Sequence, residues 1–336
     1  MSAGDHHRST STDIKSLPDH ISAFPSPLRA EFHWRVRGRT VPISRPFVLG
    51  ILNVTPDSFS DGGRFDRLEP AMAQVRAMVE EGADGIDVGG ESTRPQGAST
   101  VSTEEELHRV MPVLSGIRHA FPDIVLSIDT TKAEVAGAAL DAGADVVNDV
   151  SGFRIDPRVG EIAAAGAAGV ILMHSRGGVT EMGTYRHADY GSDVVTEVIA
   201  ELTTSVEAAR SMGVARASIV VDPGIGFAKR SEHSLLMLAE LGRVCALGFP
   251  VMVGVSRKRF VGELSGVHTA ADRIAGTVGA NVAALMNGAR LFRVHDVAPN
   301  RQALDVAWGI VRAGQVGRSE GDVNETDSRF PIPDSR

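Results

Sequence analysis

From Phe47 onward the chain alternates between short apolar runs and longer amphipathic stretches, and it does so eight times. The apolar runs are Phe47–Leu52, Gly85–Val88, Ile124–Ile128, Val146–Val147, Val170–Met173, Ser218–Val221, Val251–Val255 and Arg290–Val294. Helical stretches lie between them, among them Glu69–Glu81, Thr103–Ala120, Ala133–Ala142, Asp193–Met212, Ser234–Leu241 and Ala270–Asn287. A short, nearly continuous apolar run reads as a strand buried on both faces, the signature of a parallel sheet. Eight such units predict an α/β fold, a closed (β/α)8 TIM barrel. The competing arrangement, an open doubly wound sheet, usually carries Gly-x-Gly-x-x-Gly after a strand. No such motif stands at a strand end in this chain.

Local signals agree with the barrel. Ser102-Thr-Glu-Glu-Glu opens one helix with a capping-box pattern. Gly82-Ala83, Gly143-Ala144 and Gly288-Ala289 stand where glycine ends a helix before the next strand. Ahead of the barrel, Phe32, Trp34 and Val36 alternate with polar residues, and Val41 and Ile43 follow Gly38-Arg39. That predicts a β-hairpin turning at Gly38-Arg39. The expected organisation is a disordered N-terminal tail over 1–28, a hairpin over 29–45, the barrel over 46–314 and a disordered C-terminal tail over 315–336. The tails are polar and rich in Ser, Asp and Pro.

Composition removes several classes of function. The net charge is −8, and no Lys/Arg run or basic stripe with interleaved aromatics occurs, so nucleic acid is not an expected partner. No apolar stretch is long enough to span a bilayer, so no membrane association is expected. The one cysteine, Cys245, cannot form an internal disulfide and belongs to no zinc-like spacing, which predicts a reducing, cytoplasmic setting.

The ends of the apolar runs carry the chemistry. They finish in Asn53, Asp87, Asp129, Asn148, His174, Asp222, Ser256-Arg257-Lys258 and Arg293-Val-His295. One polar strand end is ordinary; eight converge on one mouth at the face where barrels keep their active sites. Asp129, Asn148 and Asp222 offer acceptors that suit a flat heterocycle with adjacent N–H donors. Lys258, Arg257, Arg293 and His295 suit an anion, and Arg also stacks on flat rings. Together they predict a polar heterocycle bearing a phosphate-like group. The first apolar run continues into Asn53-Val-Thr-Pro-Asp-Ser-Phe-Ser-Asp-Gly-Gly63, longer and richer in functional groups than an ordinary βα connection.

The segments Leu52–Gly63, Asp87–Pro95, Ser127–Thr130, Val147–Gly152, Leu172–His174, Asp222–Phe227, Gly254–Lys258 and Arg293–Val297 together resemble those of the dihydropteroate synthase family. The resemblance covers roughly residues 32–312 and has each motif in order after a strand. It implies condensation of 6-hydroxymethyl-7,8-dihydropterin pyrophosphate with 4-aminobenzoate, by an SN1-like displacement of pyrophosphate assisted by Mg2+. It implies that Asp129, Asn148, Asp222, Lys258 and Arg293 hold the pterin, and that Asn53, Thr93, Arg293 and His295 hold the pyrophosphate. Thr93, Arg94, Phe227 and Ser256 would form the aminobenzoate pocket, with Asn53 at the metal, and Asp57 through Gly63 would form a mobile lid. Asp129, Lys258, Arg293 and His295 would carry the chemistry, and the chain would be a homodimer. One departure stands out: Arg94-Pro-Gln-Gly-Ala98 is one residue longer than the expected Arg-Pro-Gly-Ala, through Gln96. Two alternatives share the pterin pocket: a pterin-dependent methyltransferase domain, and a non-catalytic pterin-binding paralogue.

Overall fold

The computed structural model describes residues 31–55, 68–91 and 101–319. The expected N-terminal tail, the lid at Asp57–Gly63, and Thr93, Arg94 and Gln96 lie outside those residues. So does the end of the chain from residue 320; before it, the last helix runs to Ser319, past the boundary expected at 315.

Two strands form the N-terminal hairpin, β1 (Phe32–Val36) and β2 (Arg39–Ile43), paired antiparallel. The turn is Arg37-Gly38, one residue earlier than the sequence predicts. Both residues have positive φ, 41° and 78°, as the two central positions of a tight type I′ hairpin turn require. Arg37 could not be picked out as a turn residue, because a left-handed arginine is uncommon.

The barrel strands are β3 (Phe47–Asn53), β4 (Gly85–Gly89), β5 (Val125–Asp129), β6 (Val146–Asp149), β7 (Gly169–Met173), β8 (Ile219–Asp222), β9 (Met252–Val253) and β10 (Leu291–Val294). They are parallel neighbours in the order β8-β7-β6-β5-β4-β3-β10-β9, and a bridge between Val221 and Val251 joins the two ends of the row. The helices are α1 (Leu68–Glu80), α2 (Thr103–Ala120), α3 (Ala133–Asp141), α4 (Arg158–Ala165), α5 (Val194–Ser211), α6 (Ser231–Ala239), α7 (Leu241–Cys245), α8 (Arg259–Ser265), α9 (Ile274–Met286) and α10 (Val297–Ser319). The structure is therefore the eight-stranded (β/α) barrel with a preceding hairpin that the sequence predicts. α1 shows why these segments are helical: Ala71, Met72, Val75 and Met78 form one buried stripe. The predicted cap of α2 is also present, with Ser102 Oγ accepting from the Glu105 N–H at 3.1 Å.

Strand alternation divides the core in two. Outward residues such as Val48, Leu52, Ile86, Leu126, Val147, Leu172, Val221 and Phe292 pack with the helices in the main cluster. Inward residues Phe47, Leu49, Val125, Val146, Ile171, Val220, Met252 and Leu291 fill the lower barrel. The hairpin plugs that lower end: Trp34, Val36 and Ile43 belong to the same cluster, and Trp34 Nε1 donates to the Ser218 carbonyl at 2.9 Å. A Cβ on Gly169 would lie 2.5 Å from Val36 Cγ1, so the close approach of hairpin to barrel needs glycine there. Among the described residues, no helix is long and apolar enough to cross a membrane.

Candidate active site

On β3, β5, β6, β8 and β10 the inward positions change from apolar to polar toward the C-terminal end, reaching Asn53, Asp129, Asn148, Asp222 and Arg293. On β4 the inward set runs Gly85, Asp87, Gly89, and on β5 it runs Val125, Ser127, Asp129. Register then lines up the ends: Asn53 pairs with Gly89, Gly89 with Asp129, and Asp129 with Asn148. Three of the predicted site residues thus occupy one level of the barrel on β3, β5 and β6, with glycine between two of them. A Cβ on Gly89 would sit 3.6 Å from Asp129 Oδ2 and 3.7 Å from Asn53 Oδ1. Those two oxygens therefore flank the space above this glycine.

Arg293 reaches the same level from β10. Its Nε donates to Asp87 Oδ2 at 2.6 Å, and Nη2 donates to Asp129 Oδ2 at 2.7 Å. Asn148 Nδ2 donates to that same Asp87 oxygen at 3.0 Å. Asp87 is fully buried. The sequence places it at a strand end but assigns it no role; only the fold reveals that it joins two predicted site residues. Asp87 Oδ1 and Asn148 Oδ1 are buried and have no hydrogen-bond partner among the described residues. Buried acceptors normally find donors, so these two atoms mark the pocket as complementary to a ligand rich in N–H groups.

Asp222 ends β8, and its Oδ1 accepts from the Gly224 N–H at 2.7 Å. Burial pushes its carboxyl up to about 6, against the pull of that N–H and of Lys258. Burial pushes Asp129 further, to about 7, with the Arg293 guanidinium opposing. Both carboxyls are held near the point where an N–H donor would favour the ionised form. Lys258 Nζ lies 3.7 Å from the centre of the Phe227 ring. The predicted heterocycle and aminobenzoate residues thus adjoin through a cation–π contact. Ser256 Oγ and His295 Nδ1 are 3.0 Å apart, and Ser256 Oγ also accepts from the His295 backbone N–H. Arg257 instead makes a two-point ion pair with Asp296.

One strand end departs from the predicted convergence. His174 follows the inward-facing Met173, and its ring turns away from the ring of carboxylates to contact Glu201 on α5 at 3.0 Å through Nε2. Its Nδ1 is 2.8 Å from Lys229 Nζ. Glu201 accepts, so Nε2 carries the proton and Nδ1 receives one from the ammonium. Burial first, and then the Lys229 charge, lower His174 to about 4, so the ring is neutral. Lys229 also donates to the carbonyls of Gly224 and Phe227. This buried group braces the loop that carries Asp222 and Phe227, a role invisible in the sequence because its partners come from β7 and the loop itself.

Among the described residues, no group of three or more His, Cys, Asp or Glu could hold a metal. The carboxamide oxygen of Asn53 is a hard donor beside Asp129. That donor set fits Mg2+, which typically takes few protein ligands and completes its shell with water and substrate phosphates.

A family model described as pterin binding enzyme matches residues 49–295. The chain is 45% identical over 292 residues to the dihydropteroate synthase of Synechocystis sp., covering 86% of this chain and 96% of that protein. It is also similar to the solved Xanthomonas albilineans dihydropteroate synthase with 4-aminobenzoic acid, at 43% identity and TM-score 0.77, covering 84% and 99% of the two chains. The enzyme from that organism in complex with 7,8-dihydropteroate matches with TM-score 0.73 and 42% identity, covering 83% and 99%.

Proposed function

The chain belongs to the dihydropteroate synthase family of pterin-binding enzymes, and from that premise we propose how its residues divide the work of the reaction. The reaction joins a dihydropterin pyrophosphate to 4-aminobenzoate, releasing pyrophosphate. The observation that carries the assignment of the pterin site is the pair of buried, unpartnered acceptors, Asp87 Oδ1 and Asn148 Oδ1, beside Asp129. An aminopyrimidine edge supplies the N–H donors these atoms lack.

In this reading Asp129, Asn148, Asp222 and Lys258 hold the pterin, and Arg293 lies against its face. Asn53, Thr93, Arg293 and His295 hold the pyrophosphate. Thr93, Arg94, Phe227 and Ser256 bound the aminobenzoate pocket. As pyrophosphate leaves, the pterin methylene becomes cation-like, and the Asp129 carboxylate offsets that charge. Arg293 and His295 stabilise the charge growing on the departing group. The arylamine attacks as a neutral nucleophile, so the site needs no strong general base. Asn53 would hold Mg2+, whose contribution is to neutralise pyrophosphate charge.

The outer surface supports a homodimer: Leu264, Met286, Val306 and Ile310 are exposed on the successive helices α8, α9 and α10. A single cysteine fits a cytoplasmic setting. Pyrophosphate release with pterin pyrophosphate and Mg2+, measured with and without 4-aminobenzoate, tests the reaction. No aminobenzoate-dependent product would leave a non-catalytic pterin binder. Mg2+-dependent turnover unchanged in Asn53→Ala would remove Asn53 from the metal site. A monomeric mass by light scattering at micromolar concentration would reject the dimer.

A further inference from the structure

We propose that Asp87 is a positioning residue that fixes the donor–acceptor polarity of the pterin pocket, by holding the Asn148 amide and the Arg293 guanidinium with a single carboxylate oxygen. The proposal rests on the pterin reading above and adds to it: Asp87 Oδ1 is one of the acceptors left for the ligand, while Oδ2 positions the two neighbours.

An isolated asparagine amide can present either its oxygen or its NH2 group to a ligand, because the two orientations differ by a half-turn about one bond. Asp87 removes that freedom. An ionised carboxylate only accepts, so the NH2 of Asn148 must turn toward Asp87 Oδ2, where it lies at 3.0 Å. The carbonyl oxygen of the amide is then committed to the opposite side, where it is buried and has no partner among the described residues. Asn148 therefore enters the pocket as an acceptor, and a ligand must bring an N–H to it.

Arg293 is disciplined by the same atom. Held by Nε at Asp87 and by Nη2 at Asp129, its planar group is fixed at two points by two different carboxylates and cannot pivot. A flat ring or an anion meets it in one orientation. Because Asp87 Oδ2 accepts from both partners, the two are coupled: loss of this carboxylate releases the acceptor for the heterocycle and the cation for the leaving group together. Asp87 stands one inward position below Gly89, on the apolar side of the level shared by Asn53, Asp129 and Asn148. It supports the contact residues from beneath.

The test is an exchange of the pair. Asp87→Asn lets the amide at 148 flip and weakens the hold on Arg293; Asn148→Asp sets two carboxylates against each other. The double variant Asp87→Asn/Asn148→Asp restores one N–H donor facing one carboxylate and leaves an acceptor turned to the pocket. Because the Oδ2 position then carries the NH2 that faces residue 148, the contact with Arg293 Nε is not restored, and the exchange repairs the amide half of the arrangement alone. Binding of 6-hydroxymethylpterin is measured by calorimetry, with folding followed by thermal melts. Each single variant is expected to weaken binding about 30-fold or more, and the exchange to bind at least about tenfold more tightly than the product of the two single effects. A double variant as weak as the product of the two single effects overturns the proposal while leaving the pterin reading intact. A folded wild-type protein that does not bind the pterin overturns both. If a single variant does not fold, nuclear magnetic resonance of the wild-type protein decides: the Arg293 Nε–H and Asn148 Nδ2 protons are expected to exchange slowly, and fast exchange of both rejects the proposal.

Discussion

Replacing Asp129 with asparagine should stabilise the ligand-free protein while damaging pterin binding. Burial raises this carboxyl from its ordinary 3.8 to about 7, with Arg293 opposing. The folded state therefore holds the proton more tightly than the unfolded chain. Stability from this group is complete below the unfolded value and is lost as pH rises through about 7. The gap between the two values is worth on the order of 4 kcal/mol above pH 8. An amide avoids that cost, but Arg293 then loses one of its two carboxylate partners and keeps only Asp87 at 2.6 Å. A charge-assisted hydrogen bond is worth about 1.5–3 kcal/mol, but the Arg293 attraction is already contained in the value of about 7 and offsets nothing further. The gain is therefore on the order of 4 kcal/mol, a rise in Tm of several degrees for a domain of this size. Thermal melts should show this rise near pH 8, shrinking toward pH 5 as the wild-type carboxyl takes up its proton. Calorimetry with 6-hydroxymethylpterin should show binding weakened roughly 10–150-fold, the factor equivalent to that same hydrogen bond. A variant several degrees less stable than wild type at pH 8 would refute the account of Asp129 as a destabilising buried charge. Binding weakened less than about fivefold would refute its place in the pterin pocket.

Two further outcomes follow from the scaffold. Trp34→Ala removes a fully buried side chain and its bond to the Ser218 carbonyl; we expect a loss of about 3–5 kcal/mol, read by urea denaturation, with pterin affinity in the folded protein unchanged. Gly224→Ala should weaken pterin binding at least tenfold in calorimetry: its Cβ would lie 1.9 Å from the His174 carbonyl oxygen at a φ of +66°, so the N–H that holds Asp222 must move. Wild-type affinity in that variant would show that the backbone cradle of Asp222 does not matter.

The eight strands could be read in the sequence because each is buried on both faces and interrupted by glycine or a polar end. The helices with a clear apolar stripe were equally legible. α4 was not: no side chain caps its start at Pro157, and it spans only Arg158–Ala165. The contact residues were visible as strand ends, but strand ends do not reveal which way a side chain turns. His174 and Asp222 look alike in the sequence, yet one contacts α5 and the other is cradled in its own loop. The partnership of Asp87 with Arg293 spans 206 positions in sequence; nothing local announces it. Lys229 was hidden for the same reason, since it sits in a glycine-rich loop that gives no sign of a buried ammonium.

The hairpin beneath the barrel bears on the order of events. With Trp34 filling the lower end, traffic passes through the upper mouth alone, and both substrates and both products must share one doorway. In the proposed seating the pterin lies on the floor and the aminobenzoate nearer the rim, beside Phe227. An aminobenzoate that arrived first would stand in the way of its own partner. In that seating the architecture would impose a queue: the pterin pyrophosphate would enter first, and the joined product, anchored at the floor, would be the last to go.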